Sequence, residues 1–187
     1  FAAQFVLAVD VADENLLGAT IREKYPVIDL CIDHHPSNTG YAQHRLLEAD
    51  SAATAEIIAL VIESMGVSLT SQMAACIYTG IATDTGCFKF SNTTPRSHRI
   101  AAQMMESGAP VAEINEHVFD TKTKRKLALE ACALNSLEYY FGDRCALIPV
   151  TEKMMAQCGV AYEEIDDIAS LPRQIEGVEV GLTLKQR

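Results

Sequence analysis

The sequence is poor in the features that mark a membrane-spanning, secreted or duplex-binding chain. No apolar run approaches the ~20 residues a helix needs to cross a bilayer. The opening segment, Phe1–Val9, has neither the basic stretch nor the small-residue cleavage site of a secretory signal. It also has no Met, and the expectation is that the chain is an internal piece of a longer one. Basic residues are scarce: 15 Lys and Arg stand against 25 Asp and Glu, a net charge of −10, and the only basic run is Lys122–Lys126. An extended duplex needs many Lys and Arg contacts to phosphates, so long nucleic acid is excluded as a partner. An acidic chain can still bind phosphate where metal ions invert the local field, which leaves small or short phosphate-bearing substrates. Six cysteines are present but no C-x-x-C pair, so a thiolate zinc site is set aside. Buried, reduced thiols in a cytoplasmic protein are the expectation. Internal repeats and low-complexity tracts are also missing.

What is present suits a folded chain of one or two domains, with 49% hydrophobic and 21% charged residues over 187 positions. Phe5–Val9 reads as a buried strand, Asp10–Glu14 as a loop, Asn15–Tyr25 as a helix stopped by Pro26, and Val27–Ile32 as the next strand. A strand, a helix and a strand over this length make a βαβ unit, hence parallel strands. Open parallel sheets bind ligands at the carboxyl ends of their strands, where Asp10 and Asp33 lie. Pro36–Tyr41 is turn-rich. Asp50 or Ser51 is expected to cap a helix over Ala52–Met65, and Thr70 or Ser71 begins another, to about Ile81. The loop Ala82–Gly86 then carries Asp84, and Cys87–Phe90 reads as a short strand. Thr94-Pro95 opens a helix that ends at Gly108, and Pro110 opens a shorter one. Lys122–Tyr139 reads as a helix connecting two domains. Ala146–Val150 is a strand, Thr151 caps a short helix ending at Cys158-Gly159, and a second short helix precedes Pro172. Val178, Val180, Leu182 and Leu184 alternate as in a half-buried strand, for which no partner is visible in the sequence after it.

Asp33-His34-His35 is the stretch that points to chemistry. A carboxylate and two imidazoles at the exit of a buried strand are poor core material and good divalent-metal ligands. Such donors suit Mn2+ or a similar borderline-hard ion. Two ions about 3.5–4 Å apart can share a bridging carboxylate and activate a water between them. Asp10 can bridge if its strand is central, and His34 and Asp84 can complete one ion's shell. Adjacent residues of an extended segment point opposite ways, so one His is expected on metal and the other on a substrate phosphate. Asp33 can orient a ligand His as a hydrogen-bond acceptor. Taken singly, Asp10 and Asp84 read as turn formers or caps; the recurrence of acids near the His pair carries the case. His44 and His117 read as surface or packing residues and Met104-Met105 as core. Asn38 and Thr39 read as loop-shaping or substrate-touching.

These residues resemble the DHH phosphoesterase superfamily over nearly the whole chain. Asp33-His34-His35 resembles the motif that names it, Val9-Asp10-Val11-Ala12-Asp13 the acidic motif before it, and Thr83-Asp84-Thr85-Gly86 with Phe88 the motif after it. The strings IDHHPSNTGYA, SAATAEII and GIATDTGCFKFSNTTPRSH are similar to the branch of short-oligoribonucleotide hydrolases that also dephosphorylate 3′-phosphoadenosine 5′-phosphate. LPRQIEGVEVGL is similar to the start of the DHH-associated substrate-binding domain. The resemblance implies an α/β fold: a doubly wound, mainly parallel sheet over 1–121, a linker helix over 122–139, and part of a smaller α/β domain over 140–187. It implies that Asp10 bridges two Mn2+ ions (Mg2+ or Co2+ being alternatives), that His34 and Asp84 ligate one of them, that His35 contacts the scissile phosphate, and that Asp33 supports the cluster. The family's first motif, a His followed by two Asp, and its Gly-rich, His-containing loop are not found, so the expectation is a fragment lacking both ends and inactive by itself. The implied partners are short RNA or nucleoside phosphates, with no membrane, and a homodimer left open. The alternatives are a cyclic-dinucleotide phosphodiesterase of the same superfamily and a non-catalytic nucleotide-binding domain.

Overall fold

The computed structural model describes residues 3–186, so the outermost residues of the expected spans 1–121 and 140–187 lie outside the described residues. The chain forms two compact units, Phe1–Asp120 and Thr121–Arg187.

In the first unit, β1 (Leu7–Val9), β2 (Leu30–Asp33) and β3 (His44–Leu47) form a parallel sheet in the order β1-β2-β3. The α/β class with a parallel sheet is therefore as expected, but the placement differs in detail. Among the described residues β1 lies at an edge and β2 in the centre, so Asp33, not Asp10, ends the central strand. β3 has no counterpart in the sequence reading. Its four residues are two polar side chains followed by two leucines, mostly exposed, without the alternation that marks a strand. The expected helix over Asn15–Tyr25 is split. Asp13 caps a 3-10 turn, Glu14–Leu16, and Gly18 precedes α1 (Ala19–Lys24).

Three helices follow: α2 (Thr54–Ser64), α3 (Ser71–Asp84) and α4 (Pro95–Glu106). Thr70 caps α3, its side chain accepting from the Met73 N–H. Thr94 and Ser97 cap each other's backbone at the start of α4, with Pro95 at the first helical position. α2 starts differently from expectation: its N-cap is Ala53, without a side-chain cap, because Asp50 and Ser51 lie upstream. α3 packs on both α2 and α4. Its Ile77, Tyr78, Ile81 and Ala82 join Ala59, Ile100, Ala101 and Met104 in the main core. Met104 is fully buried, while Met105 is 56% exposed, so only one of that pair is core. Gly80 explains the close approach of α2 and α3, since a Cβ there would stand 2.7 Å from the Ala55 Cβ.

α3 continues past Ile81, and Asp84 is its last residue rather than a loop residue. The expected strand over Cys87–Phe90 is also absent. Gly86, Cys87 and Phe88 all have positive φ, at 55°, 56° and 62°, which no strand residue adopts. The Thr85 hydroxyl accepts from the Phe88 N–H and holds this left-handed turn. α5 (Val111–Asn115) and a π turn, Glu116–Asp120, complete the unit.

The second unit contains α6 (Lys124–Asn135), β4 (Glu138–Tyr140), β5 (Cys145–Val150), α7 (Glu152–Cys158), short 3-10 turns and β6 (Val180–Lys185). α6 is shorter than the expected Lys122–Tyr139, whose end is strand β4. Its Leu129 and Ala133 are buried with Ile148, Val150, Met155 and Ile168 in this unit's core. Thr151 caps α7 as its spacing predicts. β5 is central, antiparallel to β4 and parallel to β6. The strand that seemed partnerless in sequence therefore pairs along its whole length with the earlier β5. No helix among the described residues is long and apolar enough to cross a membrane.

Candidate metal centre

Asp10 follows β1 directly. Its N–H donates to the Ile32 carbonyl at 3.0 Å, which carries the β1–β2 pairing one residue further. Its φ of 62° turns the backbone out of the strand, and Asp is among the few L-residues that tolerate that region. The Thr54 hydroxyl, at the start of α2, donates to Asp10 Oδ1 at 2.7 Å. Thr54 lies in the string SAATAEII, but its contact with Asp10 spans 44 positions and has no local sequence signature.

His34 and His35 come just after β2. Their rings do not diverge as strand alternation predicts; they meet edge to face with centroids 4.5 Å apart. His34 Nδ1 lies 3.1 Å from the Ser51 carbonyl oxygen. A carbonyl can only accept, so Nδ1 carries the proton and Nε2 presents a lone pair. That lone pair faces Asp10 Oδ1 at 3.7 Å and Asp84 Oδ2 at 3.6 Å. Both separations exceed a hydrogen bond. They leave His34 Nε2 and the two carboxylates as neighbouring donors that are not bonded to each other.

His35 is held differently. Its Nδ1 lies 2.7 Å from Asp33 Oδ1 and donates to it, leaving Nε2 as the nitrogen free to meet a substrate. Asp33 is almost fully buried, at 1% exposed. Its Oδ1 also accepts from the His34 N–H at 2.8 Å and the His35 N–H at 3.3 Å, and its Oδ2 accepts from Asn38 Nδ2 at 2.6 Å. Asp33 thus orients the His35 ring, and a backbone carbonyl orients the His34 ring. Carbonyls carry no sequence signal, so this division was not legible beforehand. Asn38 holds Asp33 and shapes the loop.

The electrostatics follow. Burial pushes the Asp33 carboxyl up, but the hydrogen bonds from Asn38, His35 and the two backbone N–H groups outweigh it and hold the group below its ordinary range. The Asp33 hydrogen bond raises His35 above the usual imidazole value, against a smaller opposing effect of burial. Asp84 is raised by burial first and by the charge of Asp10 second, against the pull of His34 and His35. Donor atoms of Asp10, His34 and His35 lie within 4.8 Å of one another. Since Asp33 occupies His35 Nδ1, the carboxylate oxygens left near the free imidazole nitrogen are Asp10 Oδ1 and Asp84 Oδ2, each paired with His34 Nε2. Two carboxylate oxygens and a neutral imidazole fit a borderline-hard divalent ion. Of the remaining histidines, His44 and His117 are exposed, and His98 stacks on Phe88 at 5.0 Å.

No protein-family model matches the chain. It is 33% identical over 156 residues to the bifunctional oligoribonuclease and PAP phosphatase NrnA of Thermus thermophilus, covering 83% of this chain and 46% of that protein. It is 26% identical to the probable protein of the same name from Streptococcus mutans, covering 91% of this chain and 59% of the relative. The chain therefore spans about half the length of the curated relatives it matches. In fold it is similar to the crystal structure of an exopolyphosphatase-related protein from Bacteroides fragilis, with a TM-score of 0.84, 21% identity, and coverage of 94% of this chain and 53% of that one.

Proposed function

We propose that the chain is an NrnA-like member of the DHH superfamily and the metal-binding part of a Mn2+-dependent phosphoesterase acting in the cytoplasm. The substrates are short oligoribonucleotides, 3′-phosphoadenosine 5′-phosphate, or both. One observation carries the reading: the Nε2 lone pair of His34 stands 3.6–3.7 Å from carboxylate oxygens of both Asp10 and Asp84. These three residues would hold a divalent ion. Such an ion supplies an activated water at neutral pH and neutralises charge that builds on the phosphoryl group. In the two-ion form of the proposal Asp10 would be shared by both ions, and the rest of the second ion's shell is not among the described residues.

The chain's other residues act on the substrate. Asp33 keeps Nδ1 of His35 occupied, so Nε2 meets a phosphate oxygen. The raised proton affinity of His35 favours its cationic form beside a phosphate. Asn38 fixes Asp33 and so fixes the direction of the ring. Thr54 fixes Asp10 Oδ1.

The test is hydrolysis by the intact protein of a diribonucleotide and of 3′-phosphoadenosine 5′-phosphate, after chelation and after Mn2+ is restored. Turnover should vanish with the chelator, return with Mn2+, and be lost in Asp84→Asn. Metal-independent turnover, or an Asp84→Asn enzyme of normal rate, would sink the reading.

A further inference from the structure

Behind His34 lies a polar network that the proposed chemistry does not use. Glu56, in the first turn of α2, is fully buried, and its Oε2 accepts from Arg96 Nε at 3.0 Å. Its Oε1 has no hydrogen-bond partner. Arg96, the second residue of α4, spreads its guanidinium over three acceptors. Besides Glu56, Nη1 donates to Glu48 Oε2 at 3.1 Å, and Nη2 donates to the Ser51 hydroxyl oxygen. The Ser51 hydroxyl in turn donates to Glu48 Oε2 at 3.0 Å. Ser51 is the residue whose carbonyl accepts from His34.

A second tether reaches the same segment. Asn92 Nδ2 donates to the Ala52 carbonyl and to the Asp84 carbonyl, each at 3.1 Å. Arg96 therefore grips residues 51–52 by the Ser51 side chain. Asn92 ties their backbone to the residue that carries the second carboxylate. A carboxylate buried for the sake of one ion pair is a poor device for stability alone, because desolvation consumes most of the Coulombic gain. Here it has a geometric product. A neutral imidazole has two tautomers, and only the Nδ1–H form offers Nε2 to an ion; the partner on the other nitrogen decides which form is present.

We propose that Arg96 and Asn92 are positioning residues: they hold the Ser51–Ala52 peptide so that the Ser51 carbonyl keeps His34 in its Nδ1–H tautomer, with Nε2 set against Asp10 and Asp84. The proposal deepens the metal-centre reading and rests on it. Arg96 is needed as arginine, because a lysine ammonium lacks the planar fork that spans Glu56, Glu48 and Ser51 together.

The experiment is NMR on the metal-free chain labelled with 15N-histidine at pH 8. Long-range 1H–15N correlations separate Nδ1–H from Nε2–H rings, and the same samples are titrated with Mn2+ by calorimetry. Wild type should show His34 as Nδ1–H. Asn92→Ala, at an exposed position, and Arg96→Lys, which keeps a cation beside Glu56, should shift His34 to a mixture of tautomers. Their Mn2+ affinity should fall about 10–100-fold. Arg99→Lys, on the same helix and outside the network, should match wild type in both readouts. A wild-type His34 in the Nε2–H form overturns the proposal, as does an unchanged tautomer in both variants. If Arg96→Lys fails to fold, Asn92→Ala decides. If the tautomers behave as expected and wild type binds no Mn2+, the metal reading falls and the positioning role stands.

Discussion

Asp84→Asn should stabilise the metal-free protein and remove its response to metal. Three effects disfavour the Asp84 charge in the folded chain. Burial is the largest, and the nearby charge of Asp10 adds to it. Asp84 is also the last residue of α3, at the negative end of the helix dipole. A carboxylate at a helix C-terminus costs about 0.3–1 kcal/mol. The side chain is 35% exposed, so solvent screens the remaining repulsion. The expected gain for Asn is therefore about 0.5–1 kcal/mol, within the usual range for relief of an unfavourable functional residue. The pH dependence has a defined sign. A carboxyl whose folded pKa is raised contributes fully when protonated, below its ordinary value of 3.8, and that contribution is lost as pH rises through the folded value. The Asn variant's advantage should thus be absent at the acid end and grow with pH towards neutrality. Mn2+ should reverse the order: at a hundred times the Kd, binding stabilises wild type by about 2.7 kcal/mol, and the variant gains little. Thermal unfolding of both proteins with chelator across pH 2–7, and with Mn2+ at pH 7, reads all of this. A variant less stable than wild type without metal at pH 7, or an equal gain from Mn2+ in both, would refute the reasoning.

Other substitutions read separate parts of the structure. Gly80→Ala should cost about 1–3 kcal/mol by overpacking against Ala55, although alanine is the better helix former; it should also weaken Mn2+ binding by moving α3, and unfolding with calorimetric titration checks both. Asn38→Ala removes the 2.6 Å hydrogen bond to Asp33 and should lower turnover of the intact protein by about 10–100-fold while Mn2+ affinity changes less, as steady-state kinetics beside titration would report. Leu129→Ala opens a cavity in the second unit's core and should cost about 2–5 kcal/mol there. Since Asp10, His34 and Asp84 all belong to the first unit, Mn2+ affinity should survive it.

The sequence exposed the parts of the fold that follow local rules. Thr94-Pro95 and Thr151 marked helix starts because an N-cap hydroxyl acts within three residues of itself. Asp10, His34 and Asp84 were visible as candidates because acids recur around the Asp33-His34-His35 stretch. What stayed hidden depends on contacts distant in sequence. β3 exists because β2 offers it a ladder, and its own residues lack alternation. Asp84 was read as a loop residue because Thr83-Asp84-Thr85-Gly86 has turn composition, yet packing of Ile81 and Ala82 in the core carries the helix through it. The contacts made by the holders of the site were hidden for the same reason. Ser51 acts through a carbonyl, and Thr54 and Arg96 reach partners forty or more positions away.

Left-handed non-glycine residues also occur at Cys87, Phe88, Phe141 and Asp143, and unpartnered buried hydroxyls at Thr93 and Thr183, but three departures from local rules meet around one imidazole. Asp10 has a left-handed backbone, Asp84 places a charge at the unfavourable end of a helix beside another acid, and Glu56 buries a carboxylate with one oxygen unpartnered. The caps of α3, α4 and α7 follow the ordinary preferences, and both cores are apolar. Strain and unfavourable charge persist only where surrounding structure over-determines them, and they gather at functional sites. Here each departure has a geometric product at His34. The turn at Asp10 delivers one carboxylate, the extension of α3 delivers the other, and the Glu56–Arg96 pair grips Ser51, whose carbonyl fixes the ring. A chain selected for stability alone would have Asn or Gly at position 10, a neutral residue at 84 and an apolar residue at 56. That all three departures serve the same nitrogen is the physical reason for treating His34 as the centre of the site.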